Sequence, residues 1–218
     1  TLGLADELRM APSSQLVVTT VPEADFPMEE NTAFRAVTEL AREFDRDPGL
    51  SIRIIKRIPL RAGLGGPSTD AAAALVGACH LWGIDPHDGR VVRVARSIGA
   101  DVPFFLYGPP AYFIGAGDVM AQTYEPLDSV DVVLVRAPSP SSGVTAAEAY
   151  RRFDADPQDI PPVAPMLDAL AAGDSSAVVR AVANNLAPAA RSIASEIDEV
   201  LAWLRAWGSV SVAEVSGS

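Results

Sequence analysis

Cysteine, lysine, histidine and aromatic residues are scarce in this 218-residue chain, and the shortages exclude several classes of protein. Cys79 is the only cysteine, so there is no intrachain disulfide and no cysteine metal cluster, and its apolar surroundings predict inert packing. The two histidines have no partners at metal-binding spacing. Basic residues number 17 against 28 acidic ones, a formal net charge of −11. This charge argues against a general binder of nucleic acid or anionic membranes, because a phosphate backbone requires a basic surface.

Long apolar runs are scarce as well. The longest strictly apolar run is Ala71–Val76, whereas a membrane-spanning helix needs about 20 apolar residues. No charged-then-apolar leader opens the chain. We therefore expect a cytoplasmic protein that binds neither nucleic acid nor membrane. With 49% hydrophobic and 21% charged residues, the chain is long enough for one large or two small domains with packed cores.

Both ends of the sequence suggest an incomplete chain. It begins at Thr1 without a methionine, in a segment that alternates like a strand needing partners. It stops at Ser218, directly after another strand-like pattern. We expect residues to be missing before Thr1 and after Ser218.

Hydrophobic periodicity predicts alternating strands and helices in the first half of the chain and mostly helices in the second. Strands are expected over 16–21, 50–58, 111–114 and 130–136, and helices over 32–45, 70–82 and 85–98. A link rich in proline and serine at 137–143 precedes helices expected over 145–153, 162–172, 175–184 and 189–207. Asn31 is expected to cap its helix, and Thr145 forms a capping box with Glu148. Trp203 and Trp207 are expected on a buried helical face.

The most informative segment is a glycine-rich turn between a predicted strand and a predicted helix, PLRAGLGGPSTDAAAAL at residues 59–75. Gly63, Gly65 and Gly66 allow positive φ and close backbone approach to an anion. The first N–H groups of a helix have no intrahelical partner, and the helix dipole is positive at the same end. The pattern therefore favours phosphate binding.

Two better-known phosphate-binding loops do not fit this turn. A P-loop requires a lysine followed by serine or threonine after its second glycine, whereas this turn continues from Gly66 to Pro67 and Ser68. A dinucleotide-binding turn would require a third glycine where Ser68 stands. Ser68 or Thr69 is instead expected to cap the helix. A tight connection that binds nothing is the alternative interpretation of the glycines alone.

A second segment, GADVPFFLYGPPAYFIGAGD at residues 99–118, places Asp101 directly after a predicted helix end. An isolated aspartate there predicts a turn or a cap. Together, however, the segments 59–75 and 99–118 resemble the GHMP kinase superfamily, and within it the branch that acts on a cytidine-diphosphate-linked methylerythritol. The likeness continues elsewhere in the chain, at Asn31 and its helix and at residues 58–59, 137–145, 184–186 and 216–218.

The resemblance implies an α+β protein with the two-domain GHMP kinase fold, both domains truncated. Residues 1–136 would form the N-terminal ATP-binding domain, similar to domain 2 of ribosomal protein S5. Residues 137–218 would form an incomplete, ferredoxin-like α+β C-terminal domain. The family's catalytic lysine, and the tyrosine and histidine that recognise the cytidine end, would precede Thr1. Lys56, the only lysine in the chain, is therefore expected to have a structural role or a solvated side chain.

The implied activity is ATP-dependent phosphorylation of the 2-hydroxyl of that methylerythritol substrate, with Asp101 as the base that accepts the hydroxyl proton. Magnesium bound to ATP is expected, with Ser68, Thr69 or Asp70 as direct or water-mediated contacts. Asp70 alternatively only favours the helix dipole. Pro67 replaces a common glycine and cannot donate a backbone hydrogen bond. The residues expected to bind ATP are Pro59, Leu60, Arg61, Ala62, Gly63, Leu64, Gly65, Gly66, Pro67, Ser68 and Thr69.

Two alternatives remain open from the sequence. One is a kinase for another small alcohol, such as homoserine. The other is a nucleotide-binding homologue without catalysis. The oligomeric state is also left open.

Overall fold

The computed structural model describes residues 3–59, 62–108, 110–127, 130–136 and 144–217. The chain forms two compact units, one made of residues 1–59 and 65–123, the other of residues 60–64 and 124–218. Helices and sheets are both present, which confirms the predicted α+β class. The predicted link at 137–143 and the predicted site residues Leu60 and Arg61 lie outside the described residues.

A three-stranded sheet forms the centre of the first unit. Its strands are β1 (Glu7–Pro12), β2 (Val17–Val21) and β3 (Leu50–Ile55), in the order β1-β3-β2. β1 runs antiparallel to β3, and β2 runs parallel to it. Leu50, Ile52 and Ile54 are buried while Ser51 and Arg53 are exposed, so one face of the sheet is covered. The strand predicted over 50–58 is real but ends at Ile55.

The described part of this unit has three α-helices, of which the first two contact the sheet and the third packs against those two. They are α1 (Thr32–Glu43), α2 (Gly66–Trp82) and α3 (Gly89–Ile98). The predicted cap of α1 is confirmed, because Asn31 Oδ1 accepts a hydrogen bond from the N–H of Ala33 at 2.9 Å. The predicted start of α3 at residue 85 is wrong. The helix begins later because Asp88 accepts from the N–H of Arg90 at 2.8 Å and so supplies the cap.

The core of this unit consists of aliphatic side chains from β3 and the three helices. Leu40 and Val37 of α1, Ile52 of β3 and Leu75 of α2 are fully buried. Cys79 is buried among them, and burial, with a smaller contribution from nearby acidic charges, raises the pKa of its thiol to about 11. The prediction that Cys79 is an inert packing residue is therefore confirmed.

A hairpin completes the first unit. Strands β4 (Ala111–Ile114) and β5 (Val119–Thr123) pair antiparallel. The sequence predicted β4 and missed β5. The further strand predicted over 130–136 is wrong, since the structure assigns no strand to those residues. An alternating pattern favours a strand, but a strand forms only where a neighbour supplies its hydrogen bonds.

In its described residues the second unit is built from helices. They are α4 (Ala146–Ala155), α5 (Ala164–Ala172), α6 (Ser175–Arg180), α7 (Ala187–Ile193) and α8 (Glu196–Arg205). The capping box of Thr145 and Glu148 is confirmed at the start of α4. The single helix predicted over 189–207 is wrong, because the backbone leaves the helical region at Ala194 (φ −129°, ψ 86°) and divides it. The helix predicted over 175–184 ends at Arg180.

Trp203 and Trp207 do not lie on a buried face, as their spacing had predicted. Each is 55% exposed, and their rings contact each other edge to face with centroids 5.8 Å apart. The spacing of four residues brings them together, but burial depends on whether another element covers them.

No helix in the described part combines the length and apolar character that crossing a membrane demands.

Candidate functional site

The glycine-rich turn ends at Gly65, which adopts a left-handed conformation (φ 66°, ψ 20°) and precedes the first residue of α2. Ser68 and Thr69 therefore lie inside the helix, and the prediction that one of them caps it is wrong. Their N–H groups both donate to the carbonyl oxygen of Gly65 at 2.9 Å. Pro67 has no N–H group. The amides of Gly65 and Gly66 donate to no described residue, so these two N–H groups are the available donors near the start of the helix.

Asp101 lies in the turn between α3 and a short 3₁₀ helix, Pro103–Leu106, and its side chain is exposed. The 3₁₀ helix packs against α2. A Cβ placed on Gly65 would lie 3.2 and 3.3 Å from two ring carbons of Phe105. The structure thus brings the segment that carries Asp101 against the turn that opens α2.

A buried ion cluster joins the sheet to α2. Lys56 follows β3 directly, and its Nζ lies 2.5 Å from Asp6 Oδ2 and 2.7 Å from Asp70 Oδ2. Asp6 Oδ1 also accepts from the N–H groups of Arg57 at 2.5 Å and Ile58 at 2.8 Å. The Lys56 side chain is only 15% exposed, so the expectation of a solvated side chain is wrong and the structural alternative is confirmed.

The protonation states in this cluster depend on burial and on the shared ammonium. Burial raises the pKa of Asp70 from 3.8 to about 6, although its hydrogen bond to Lys56 acts in the opposite direction. Burial alone would lower the pKa of Lys56, but its hydrogen bonds to the two carboxylates outweigh this and raise it. For Asp6, burial is outweighed by hydrogen bonds from Lys56 and the backbone, which lower its pKa. Asp70 therefore has a specific partner and does more than favour the helix dipole.

The starts of α1 and α2 lie side by side. The hydroxyl of Thr32, the first residue of α1, donates to the carbonyl oxygen of Pro67 at 2.7 Å. The hydroxyl of Thr69 donates to the carbonyl oxygen of Gly66 at 2.8 Å. These two hydrogen bonds fix the first turn of α2, which is the turn predicted to bind phosphate.

Within the second unit, the earlier part of the glycine-rich turn contacts the end of the chain. Gly63 and Gly217 have φ of 65° and 71°, and a Cβ on either would overlap backbone atoms of the opposing segment. Ser216 Oγ donates to the carbonyl oxygen of Gly63 at 3.0 Å. Asn184 Nδ2 donates to the carbonyl oxygens of Val215 at 3.0 Å and Gly217 at 2.6 Å. Residues 184 and 216–217, noted in the sequence only as part of the likeness, thus have defined contacts.

Sequence reasoning missed the partners of Lys56 and the contact of Thr32 with Pro67. One signal was present for Lys56. Side chains alternate between the two faces of a strand, so Lys56 lies on the same side as Ile52 and Ile54, which face the core. A lysine in that phase requires a carboxylate partner. No comparable signal identifies Asp6, which is 50 residues away in the chain.

Comparison with known proteins adds independent findings. The family described as GHMP kinases N terminal domain matches residues 31–109. The chain is 37% identical over 186 residues to "4-diphosphocytidyl-2-C-methyl-D-erythritol kinase" of Symbiobacterium thermophilum, which covers 84% of this chain and 64% of that protein. It is 36% identical over 220 residues to the protein of the same name from Paramagnetospirillum magneticum, with 99% and 74% covered.

A solved structure shows the same likeness in three dimensions. The crystal structure of a 4-(cytidine 5'-diphospho)-2C-methyl-D-erythritol kinase superimposes with a TM-score of 0.70 at 31% identity. The superposition covers 99% of this chain and 75% of that one. The chain thus spans about two thirds to three quarters of the length of these relatives.

Proposed function

Because the chain belongs to the family of 4-diphosphocytidyl-2-C-methyl-D-erythritol kinases, we propose that it takes part in the reaction named for that family. In it, the terminal phosphoryl group of ATP is transferred to the 2-hydroxyl of 4-diphosphocytidyl-2-C-methyl-D-erythritol, an intermediate of isoprenoid precursor synthesis, in the cytoplasm. The observation that carries the proposal is the packing of Phe105, four residues beyond Asp101, against Gly65 at the start of α2. One segment supplies a carboxylate and the other a phosphate-binding turn.

The phosphates of ATP are proposed to bind at the glycine-rich turn. The amides of Gly65 and Gly66 and the positive end of the α2 dipole are the local donors. Ser68 and Thr69 bond to the carbonyl oxygen of Gly65 through their own amides, so their contribution to the site is through hydroxyl groups. Since the chain carries a net charge of −11, such local donors are essential for binding an anionic nucleotide.

Asp101 is proposed to act as the base. Its carboxylate accepts the proton of the attacking hydroxyl, the hydroxyl oxygen forms a bond to the terminal phosphorus, and the bond from that phosphorus to the ADP oxygen breaks. Phosphoryl transfer needs little other covalent chemistry from a protein, because positioning and charge stabilisation supply most of the rate. An exposed side chain next to a packed 3₁₀ helix is suited to meet a substrate from solution.

Magnesium is proposed to enter with ATP, where it would neutralise charge on the phosphates. In the described residues no group of three His, Cys, Asp or Glu side chains could hold a metal ion. This fits a cation bound mainly by phosphate oxygens and water, which is how Mg²⁺ is commonly held. Asp70 Oδ2 is engaged by Lys56, and Thr69 Oγ1 donates to Gly66. Donating leaves the lone pairs of Thr69 Oγ1 free, and Asp70 is buried, so Ser68 and Thr69 are the preferred side-chain contacts among the three predicted candidates.

Replacing Asp101 by asparagine tests the proposal. We expect kcat for phosphoryl transfer to fall by about 10² to 10⁴, the usual contribution of a general base, while the Kd for ADP stays within about twofold. Asp85→Asn is the matched control, because Asp85 is an aspartate of the same unit whose side chain is 72% exposed. Near-normal turnover of Asp101→Asn would contradict the assigned role.

A substrate panel separates the alternatives. ADP release coupled to an indicator reaction is measured with the cytidine-diphosphate-linked methylerythritol and with homoserine. Turnover of homoserine in preference to the cytidine compound would favour the second kinase assignment. Nucleotide binding without turnover of any alcohol would favour a non-catalytic homologue.

A further inference from the structure

The buried ion cluster of Lys56, Asp6 and Asp70 has no role in the mechanism above, yet it lies beside the start of α2. Lys56 Nζ is 3.7 Å from the position that a Cβ of Gly66 would occupy. Asp70 is the fifth residue of α2, so it lies about 6 Å along the helix axis from Gly66. A buried carboxylate thus stands about one turn behind the amides proposed to bind phosphate.

An uncompensated carboxylate at that place would oppose the binding of an anion. If the Asp70 carboxylate and a bound phosphate are about 8 Å apart in an effective dielectric of about 20, their repulsion is strong enough to weaken the affinity for nucleotide roughly thirtyfold. Asp70 is buried, and its Oδ1 atom has no hydrogen-bond donor among the described residues. The cation that offsets its charge is therefore the Lys56 ammonium, which contacts Oδ2 and is shared with Asp6.

The same ammonium also connects the two segments that flank the turn. Asp6 binds Lys56 Nζ and accepts from the backbone N–H groups of Arg57 and Ile58. Ile58 in turn packs on the helix start, where its Cγ2 lies 3.2 Å from the Cβ position of Gly66. The segments 56–58 and 66–70 are consequently held together by one cluster.

Building on the proposed function, we propose that Lys56 is a positioning residue for nucleotide binding, which acts by offsetting the charge of Asp70 behind the phosphate-binding turn and by fixing the chain entering that turn through Asp6. Lys56 does not contact the phosphates in this proposal. Its effect on binding passes through the charge of Asp70, and this makes the proposal separable from a purely structural role.

Calorimetric titration with ADP tests the proposal in four variants of the full chain. In Lys56→Met the Kd for ADP is expected to rise by up to roughly thirtyfold at pH 8.5, where the Asp70 carboxyl is ionised, and by less at pH 6, where loss of the ammonium leaves that carboxyl protonated and uncharged. Arg57→Met is the matched control, since it removes the same charge from the adjacent residue, whose side chain is 58% exposed. Its Kd is expected to stay within about twofold, because exposed charges are screened.

The charge of Asp70 is then removed. Asp70→Asn keeps an oxygen that can accept from Lys56, and its Kd for ADP is expected to be unchanged or lower. The double variant Lys56→Met with Asp70→Asn is expected to recover most of the affinity lost in Lys56→Met. In turnover assays, Lys56→Met is expected to raise KM for ATP with little change in kcat, because Lys56 does not act on the reacting atoms.

The outcomes are distinguishable even if Lys56→Met fails to fold, because Asp70→Asn and the double variant then carry the test. An unchanged Kd in Lys56→Met, a double variant as weak as Lys56→Met, or a tenfold loss of affinity in Asp70→Asn would each overturn the role of Lys56. Failure of the unmodified chain to bind ADP would overturn the proposed function and this inference with it.

Discussion

Replacing Gly65 by alanine perturbs the left-handed turn that opens α2. Its φ of 66° and ψ of 20° cost an L-residue about 1–2 kcal/mol. The added Cβ would lie 3.2 and 3.3 Å from the ring of Phe105, and moving that packed ring costs on the order of 1 kcal/mol. The smaller entropy of the unfolded alanine chain offsets about 0.5 kcal/mol. We therefore expect Gly65→Ala to lower the free energy of unfolding by about 2 kcal/mol.

Gly83→Ala is the matched control at the other end of the same helix. Gly83 has a similar conformation (φ 69°, ψ 35°), but no described atom lies within 4 Å of its Cβ position. Its expected loss is about 1 kcal/mol, the conformational cost alone. Urea unfolding followed by circular dichroism gives both free energies, and the difference between them measures the contact with Phe105.

Nucleotide binding provides the second measurement for this pair. The Kd for ADP is expected to rise several-fold in Gly65→Ala, because the amides at the helix start move with the turn, and to stay unchanged in Gly83→Ala. Equal losses of stability in the two variants would refute the steric argument. Equal changes in Kd would refute the assignment of the phosphate-binding turn.

Three further predictions concern the first unit. Leu40→Ala removes a fully buried side chain and is expected to cost about 2–5 kcal/mol in urea unfolding, against less than about 1 kcal/mol for Leu81→Ala, whose side chain is 39% exposed. Cys79, whose pKa is raised to about 11 by burial, is expected to resist iodoacetamide at pH 8 in the native state and to react rapidly in urea. Mass spectrometry would contradict this if it found rapid labelling without denaturant. Asp70 has a folded pKa of about 6, above its ordinary 3.8, so its ionisation opposes folding at neutral pH. Relative to Asp70→Asn, the unmodified chain is expected to gain stability as the pH falls from 7 to 4, and equal pH profiles in urea unfolding would contradict that expectation.

Local signals in the sequence predicted helix caps well. Asn31 and the Thr145 capping box hold because a cap involves only a side chain and an N–H two or three residues away. Where two local signals competed, the prediction failed. Ser68 and Thr69 are good caps, but the left-handed Gly65 and a proline in the first turn start α2 earlier.

The ends of longer helices and strands were predicted less well, because they depend on the neighbouring elements with which each helix or strand packs or pairs. The alternating residues 130–136 read as a strand, yet no strand forms there. Residues 189–207 read as one amphipathic helix, yet the helix is divided at Ala194. Trp203 and Trp207 share a face, as their spacing requires, and that face is exposed. Periodicity reports which side chains lie together and cannot report what, if anything, covers them.

The two motifs at residues 59–75 and 99–118 were sufficient to indicate the family by resemblance, and that resemblance implied the α+β class and the segments expected to bind nucleotide. The tertiary structure alone decided which groups meet. It placed Phe105 against Gly65, joined Thr32 to Pro67, and gave Lys56 its two carboxylates. The phase of β3 indicates that Lys56 faces inward, but its partners come from 50 residues earlier and 14 residues later in the chain. Contacts at such separations arise only when the sheet and helices pack, and for that reason the charge balance behind the glycine-rich turn could not be derived from the sequence.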